Sequence, residues 1–209
     1  SDTNAEILAA LENGAEGLVL PLQGTEELQE LLQGVLPQYI SIYLLPLGNP
    51  LSSFQLFQDW VESTGVDGAA LHGGMLWSPT DQVFDQQQDL GLGVELLEEL
   101  LELTEGYPNF KAFCIKTSRY SESGSHPVDA LTFGLGELVE ILDRVSCAPR
   151  TVFEKLFLET AVGEHHFGEV GRQLAFRQLV QNLALLYQVE LEEQELLLFC
   201  QTAHWSQSI

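Results

Sequence analysis

The sequence predicts an α/β protein in which apolar β-strands alternate strictly with amphipathic helices. Six largely apolar runs of six to nine residues are bounded by glycine, proline or polar residues, as strands buried on both faces are. A helical pattern follows each of the first five runs. This alternation implies parallel strand pairing with the helices outside the sheet. With 209 residues and 45% hydrophobic content, the chain can bury a core.

The predicted strands are short and differ in composition. The third is rich in small residues, whereas the others are dominated by large apolar side chains. In chain order they are Gly17–Leu22, Ser41–Leu47, Gly68–Gly74, Phe110–Ser118, Val152–Glu159 and Leu196–Ala203.

The predicted helices carry apolar residues at helical spacing between recognisable start and stop signals. Asn13-Gly14 is a stop signal, and Thr25 followed by Glu26 and Glu27 marks a capped start. In chain order the predicted helices are Ala5–Asn13, Thr25–Leu36, Ser52–Thr64, Val94–Glu105, Pro127–Val145 and Glu164–Val189.

Two architectures fit this alternation, an open doubly wound sheet and a (β/α)8 TIM barrel. A doubly wound nucleotide-binding sheet needs a glycine fingerprint after its first strand, but that turn (PLQGTEE) holds one glycine. The GLGVE and GLGEL segments fall within or beside helices, where they make poor phosphate loops. We therefore expect a barrel. Because only six strands are visible and closure needs eight, residues 1–209 are predicted to form a single, partial TIM-barrel domain.

The charge of the chain is strongly negative, which narrows the classes of partner. It has 31 acidic and 8 basic residues, for a net charge of −23. Nucleic acid and anionic membranes both require a basic face, so neither is an expected partner. No apolar run approaches the roughly 20 residues of a membrane span, and no secretory signal is recognisable. Cys114, Cys147 and Cys200 show no disulfide or CxxC pattern, which predicts a cytoplasmic protein. We expect Cys114 and Cys200 to be buried free thiols.

Polar residues at the predicted carboxyl ends of the strands are candidates to line a pocket, because α/β barrels bind ligands there. They are His72, Lys116, Ser118, Arg119, Glu159 and His204. His72 and His204 also have a plainer interpretation, as hydrogen-bonded structural residues. No pair of His, Asp or Glu residues has metal-site spacing, so no metal is expected. The ESGSH segment lacks the first glycine of G-x-S-x-G, which excludes a serine hydrolase.

Lys116 and Lys155 fall within predicted strands and have two possible roles. A lysine desolvated in a barrel can lose its proton and form a Schiff base with a carbonyl substrate. In so acidic a chain, the same lysines can instead pair with carboxylates such as Glu154 or Glu159.

The segment FKAFCIKTSRYSESGS (Phe110–Ser125), followed by PVDALTFGLGELVEIL, resembles a strand, turn and helix of the methylmalonyl-CoA mutase barrel. That family has Ala-Gly-Ala where this chain has Ser123-Gly124-Ser125. Ala148–Val180 is similar to the family's Ala-Pro-Arg, strand and helix, and Gln201–Ser208 resembles the opening of its next loop. The residues that correspond to the family's helix pattern are Phe167, Glu169, Val170, Arg172, Ala175 and Arg177, with Arg172 standing where the family has lysine.

The sequence departs from the pattern of catalytic mutases at the substrate site. Ser118 and Arg119 stand where those enzymes have the Tyr-His pair that holds the thioester. Leu71-His72-Gly73 replaces the Gln-Asn-Asp that follows the third strand. Tyr120 instead matches the small, non-catalytic subunit of heterodimeric mutases.

The resemblance therefore implies the small-subunit barrel of an adenosylcobalamin-dependent methylmalonyl-CoA mutase. The complex would interconvert methylmalonyl-CoA and succinyl-CoA. This chain would be structural and would pair with a homologous catalytic subunit, or with itself as a fragment. We expect no catalytic residue, since Ser118 and Arg119 are degenerate positions. No cofactor is expected on this chain, because the cobalamin-binding domain and its Asp-x-His-x-x-Gly signature are absent from the sequence. The alternative is a self-sufficient barrel enzyme, a Schiff-base lyase or aldolase using Lys116 or Lys155.

Overall fold

The computed structural model describes residues 3–121, 127–192 and 195–202. They form a mixed α/β chain with two parallel sheets, of four and three strands. The chain divides into two compact units. The first comprises Ser1–Trp77 and Glu99–Ala112, and the second Ser78–Glu98 and Phe113–Ile209.

The first unit contains the four-stranded sheet, whose strands lie side by side in chain order and are all parallel. Gly17 pairs with Ser41, and Ser41 pairs with His72, so the first three strands begin at the same edge. The strands are β1 (Gly17–Leu22), β2 (Ser41–Pro46), β3 (His72–Met75) and β4 (Phe110–Lys111).

The helices of the first unit are α1 (Thr3–Glu12), α2 (Leu28–Leu31) and α3 (Pro50–Thr64). The side chain of Asn49 accepts a hydrogen bond from the Leu51 amide and caps α3, which ends at Gly65 with φ +71°. Short 3-10 turns lie at Pro37–Tyr39 and Gly68–Ala70. The core of this unit is aromatic: the rings of Phe54, Phe57 and Phe110 are fully buried against one another.

The second unit contains the three-stranded parallel sheet, also in chain order: β5 (Phe113–Lys116), β6 (Leu156–Val162) and β7 (Leu198–Thr202). Phe113, Ile115, Phe153, Phe157 and Phe176 are buried in its core. Its helices are α4 (Asp81–Phe84), α6 (Ser118–Ser121), α7 (Pro127–Leu142), α8 (Pro149–Lys155) and α9 (His166–Leu186). Helix α5 (Leu90–Leu103) begins in the second unit and ends in the first.

Three of the strand predictions need correction. The predicted strand Phe110–Ser118 is two strands, β4 and β5, which pair in different sheets. Residues Val152–Lys155 are helical, because Pro149 occupies the first turn of α8, a position that proline favours. Residues Gly68–Ala70 form a 3-10 turn, since the side chain of Asp67 caps it by accepting from the Ala69 amide.

The expected parallel α/β organisation is confirmed. Both described sheets keep chain order, without the reversal that creates the switch point of a doubly wound sheet. Cys114 is buried as expected, but the expectation for Cys200 was wrong, because it lies on an exposed part of β7. Within the described part of the chain, no helix is both long and apolar enough to span a bilayer.

We expect Gly73→Ala to be strongly destabilising. Gly73 has φ +134°, and an added Cβ would overlap the backbone of Ile42 on β2. The substitution should lower the free energy of unfolding by about 3 kcal/mol, because positive φ and a backbone clash are both costly for alanine. Urea titration followed by circular dichroism would measure it. Gly106→Ala is the control, since a Cβ there meets nothing within 4 Å, and it should change stability by less than about 0.5 kcal/mol.

Candidate functional site

The second unit gathers charged and hydroxyl side chains where β5 ends. Lys116 is the last residue of β5 and pairs in register with Glu159 of β6. The chain then turns at once into the single helical turn α6, which begins with Ser118 and Arg119. Two more acidic residues enter from helices of the same unit, Asp81 from α4 and Glu137 from α7. We call these six residues the charged cluster.

Asp81 is the centre of the charged cluster. The Lys116 Nζ atom lies 2.7 Å from Asp81 Oδ2, and Arg119 donates from Nη2 to Asp81 Oδ1. The Ser78 amide also donates to Oδ2, at 3.1 Å, which fixes the carboxylate at the start of α4. Because Asp81 is buried, both cations meet its negative charge with little water between them.

Arg119 has further contacts that fix its orientation. Its Nη1 atom donates to Thr80 Oγ1 at 3.2 Å and lies 4.0 Å from Glu137 Oε1. The guanidinium carbon lies 4.7 Å from the ring centroid of Phe84, a cation–π distance. All the described contacts of Arg119 are thus made within the second unit, and they hold its guanidinium between Asp81 and the Phe84 ring.

Glu137 and Tyr120 form a buried carboxyl–phenol pair beside Arg119. The Tyr120 hydroxyl donates to Glu137 Oε1, and the Tyr120 ring packs against Phe84 and Phe133. Burial raises the pKa of Glu137, and the Tyr120 hydroxyl and the Arg119 charge offset only part of that effect. Burial and the bond to Glu137 also raise the pKa of Tyr120. Both groups therefore favour their protonated forms more than they would in water.

Glu159 receives hydrogen bonds from two directions. Ser118 Oγ donates to its Oε2 at 2.7 Å, and Gln201 Nε2 on β7 donates to its Oε1 at 2.6 Å. Its backbone carbonyl accepts from both the amide and the hydroxyl of Thr117, each at 2.9 Å. Burial raises the pKa of Glu159, while the Ser118 hydroxyl and the Lys116 charge lower it in part. The hydroxyl of Ser118 is therefore held on a carboxylate at the end of the strand.

The environment of Lys116 keeps its amine protonated. Burial alone would lower the pKa of Lys116, but the charge and hydrogen bond of Asp81 outweigh burial, so the pKa is raised. A Schiff-base lysine requires the opposite shift, because the neutral amine is the nucleophile. The predicted pairing of this lysine with a carboxylate is confirmed, although the partner is Asp81 rather than Glu154 or Glu159. Glu154 instead pairs with Arg150 at 2.7 Å.

The structure brings four of the six predicted pocket residues together: Lys116, Ser118, Arg119 and Glu159. His72 is the first residue of β3, so it lies at the amino end of the strand and not at the predicted carboxyl end. Leu71 and His72 accordingly do not follow the third strand. His204 lies outside the described residues. Lys155 was predicted within a strand but is the buried last residue of α8.

Sequence reasoning missed Asp81, Thr80 and Glu137 as members of this cluster. The Ser78-Pro79-Thr80-Asp81 segment lies between the predicted strand Gly68–Gly74 and the predicted helix Val94–Glu105, although it has the composition of a capped helix start. Glu137 lies in the predicted helix Pro127–Val145 and is one of 31 acidic residues, with nothing in its local sequence to single it out. The available signal was the scarcity of basic residues, since a buried cation needs an acidic partner.

The described residues offer little else for chemistry. Burial raises the pKa of the Cys114 thiol, which keeps it protonated and unreactive. Within residues 3–121, 127–192 and 195–202, no group of three or more His, Cys, Asp or Glu side chains could hold a metal ion. Comparisons with protein-family models and with curated proteins find no match to this chain. A functional proposal therefore rests on the described residues and on the resemblance of the sequence.

We expect Asp81→Asn to destabilise the protein more than Lys116→Met. Asparagine leaves the partly buried Lys116 and Arg119 side by side without the anion they share, at a cost of about 3 kcal/mol in unfolding free energy. Lys116→Met leaves Asp81 with Arg119 and the Ser78 amide, so its cost should be about 1–2 kcal/mol. Urea denaturation would give both values.

The control for this pair of variants is Arg144→Met, because Arg144, in the turn that follows α7, pairs with Glu140 on the exposed side of that helix. An exposed pair of this kind should contribute less than about 0.5 kcal/mol. A smaller loss for Asp81→Asn than for Lys116→Met would contradict the central role of Asp81.

The contribution of Lys116 should disappear at high pH. Because its folded-state pKa is raised, its charge stabilises the protein fully below the unfolded pKa of about 10.4. That stabilisation is lost as pH rises through the folded-state pKa. The difference in unfolding free energy between wild type and Lys116→Met should stay constant from about pH 7 to pH 9 and shrink above about pH 10.4. A difference that grows with alkalinity would show that Asp81 does not hold the ammonium form.

Proposed function

We propose that this chain is a non-catalytic subunit with a partial (β/α)8 barrel, related to the small subunit of methylmalonyl-CoA mutases. Its role is to pair with a homologous catalytic chain and to support the fold of that chain. The complex would interconvert methylmalonyl-CoA and succinyl-CoA, with adenosylcobalamin supplying the radical chemistry. The chain-order, parallel arrangement of both described sheets is compatible with a barrel of this kind.

One observation carries this proposal: the side chains at the positions of the Tyr-His pair are bound within their own unit. Ser118 donates to Glu159, and Arg119 is held by Asp81, Thr80 and Phe84. A substrate thioester would have to break these buried bonds to recruit either side chain. Breaking such contacts costs free energy without a compensating interaction. The local geometry is thus that of a stabilised strand end.

The residues present do not fit an adenosylcobalamin site. The positions that hold substrate beneath the cofactor in catalytic mutases, by resemblance, carry Ser118 and Arg119, whose described polar contacts are internal. The ammonium of Lys116 is likewise bound to an internal partner, Asp81. The radical chemistry therefore belongs to the catalytic partner.

The alternative, a Schiff-base lyase or aldolase, is less well supported. Lys116 has a raised pKa, so its neutral form is rarer than in water. Lys155 is buried at the end of α8, away from the carboxyl ends of the strands of its sheet. Barrel enzymes place their reactive groups at those carboxyl ends. Both lysines therefore fit a structural role better than a nucleophilic one.

A reconstitution experiment tests the proposal. The chain should co-elute with the catalytic subunit of a methylmalonyl-CoA mutase and raise its activity. Ser118→Ala should do the same, because Ser118 is not part of the chemistry and its loss should cost only about 1 kcal/mol of stability. The proposal fails if wild type neither binds nor activates any catalytic chain tested. A loss of more than about 10-fold in kcat for folded Ser118→Ala would instead make this residue catalytic.

Borohydride trapping distinguishes the alternative. We expect no adduct on Lys116 or Lys155 when the protein is treated with borohydride in the presence of aldehyde and ketone substrates, as read by peptide mass spectrometry. The Lys116→Met variant is the matched control, because it has no amine at position 116 to form an adduct. A stoichiometric adduct on Lys116 in wild type would favour the lyase over the structural subunit.

A further inference from the structure

Helix α9 exposes large apolar side chains from its first turn to its last. Six large apolar side chains on this helix are between 38% and 90% exposed. They are Phe167, Val170, Leu174, Leu179, Leu185 and Leu186, and we call them the α9 face. Large contiguous apolar patches on the surface of a soluble protein commonly mark interaction sites. At 21 residues, the helix is about 30 Å long.

The charged residues of α9 are not displayed on this face. All of α9 is described, and its charged residues are Glu169, Arg172 and Arg177. Arg172 is buried, and it donates to Glu169 Oε2 and to the carbonyl of Ala161. Glu169 is thereby neutralised by an ion pair within its own helix. Arg177, which is partly exposed, is the one charged residue of α9 outside this ion pair.

This distribution is unusual for a chain with a net charge of −23. Helix α5 shows the opposite arrangement, with Glu95, Glu99 and Glu102 exposed on its outer side. Two copies of so acidic a chain repel one another wherever acidic faces meet. An uncharged apolar face is where that repulsion is smallest and apolar burial is greatest. The α9 face therefore suits a second copy of this chain better than the outer side of α5 does.

The exposed residues of α9 also follow a repeat that is complementary to itself. Phe167 and Leu174 are seven residues apart, and Gly171, Gln178 and Leu185 continue the same seven-residue spacing. Such spacing places side chains along one seam between two packed helices. In an antiparallel pair, Phe167 lies against the partner copy at Leu185, and Leu174 lies against it at Gln178. Gly171 leaves space at the seam, because a Cβ there would meet nothing within 4 Å.

We propose that this protein self-associates as a two-fold symmetric dimer through an antiparallel pairing of α9 with α9 of a second copy. A two-fold axis makes the interface isologous, so one self-complementary face is sufficient. The antiparallel direction also opposes the two helix dipoles favourably. This inference does not rest on the proposed mutase role, because it needs only the exposed residues of α9.

The dimer is expected to be reversible. A standard stable interface buries roughly 800 Å² on each partner, more than a single helix of this length supplies. We expect a dissociation constant on the order of 10 µM. Added salt should strengthen the dimer, because it screens repulsion between two acidic chains and leaves apolar packing intact. A dimer held by ion pairs would instead weaken with salt.

Sedimentation velocity of the full chain from about 1 to about 300 µM tests the inference. Wild type should shift from monomer to dimer, and Leu174→Glu should raise the dissociation constant at least about 10-fold, because it places a charge in the seam. Leu36→Glu is the matched control, since Leu36 is 58% exposed and Leu174 57% exposed. Circular dichroism confirms that each variant remains folded. A monomeric wild type, or a dimer unaffected by Leu174→Glu, overturns the proposal.

A charge-swap mixture tests the antiparallel register. Gln178→Lys alone should weaken the dimer, because two lysines then face apolar residues across the seam. An equimolar mixture of Leu174→Glu and Gln178→Lys should form a heterodimer, since one glutamate meets one lysine and the second contact keeps its native residues. Native mass spectrometry distinguishes the heterodimer by mass. If the single variants dissociate and the mixture does not recover the dimer, the antiparallel register is wrong.

Discussion

The carboxylate of Asp81 between Lys116 and Arg119 is the interaction on which the charged cluster depends. A chain with 8 basic and 31 acidic residues has ample counter-charge, yet few of its acids can reach a buried cation. Asp81 can, because the Ser78 amide fixes its carboxylate at the start of α4. One buried anion thereby connects α4, the end of β5 and the start of α6. Such a connection specifies the local arrangement more than it stabilises the unit, since burying the charges is itself costly.

The other two acids of the cluster, Glu137 and Glu159, are buried and hydrogen-bonded. Burial raises the pKa of both Glu137 and Glu159, and each accepts a hydrogen bond from a neighbouring hydroxyl, of Tyr120 and Ser118 respectively. This arrangement gives both buried acids beside Asp81 a hydrogen-bond donor. It also engages the hydroxyl groups that a catalytic site would need as donors. The same contacts that make the cluster stable thus explain why it resembles an active site in position but not in available chemistry.

Strands β1 and β2 and the long helices were predictable because they depend on local patterns. The apolar run predicted as Gly17–Leu22 is β1, and the helical pattern predicted as Ser52–Thr64 lies within α3. The break after Lys111 was not predictable, because nothing local distinguishes Phe110–Lys111 from Phe113–Lys116 except their pairing partners. The pairing of Lys116 with Asp81 was not predictable either, because the two residues are 35 positions apart in the sequence. Positions of candidate residues followed from strand ends, whereas their partners depended on tertiary packing.

Acidic residues are placed differently in the interior and on the surface of this protein. Glu137 and Glu159 are placed inside, where hydroxyl donors accommodate them, while α5 displays its glutamates outward. On α9, the acid nearest the exposed side, Glu169, is drawn to the buried Arg172. Arg172 therefore has two effects: it satisfies the carbonyl of Ala161 at the end of β6, and it removes a negative charge from the outer surface of the helix. A helix anchored in this way can keep apolar side chains exposed in an acidic protein. Exposed apolar side chains lower solubility, and association through them would remove them from water.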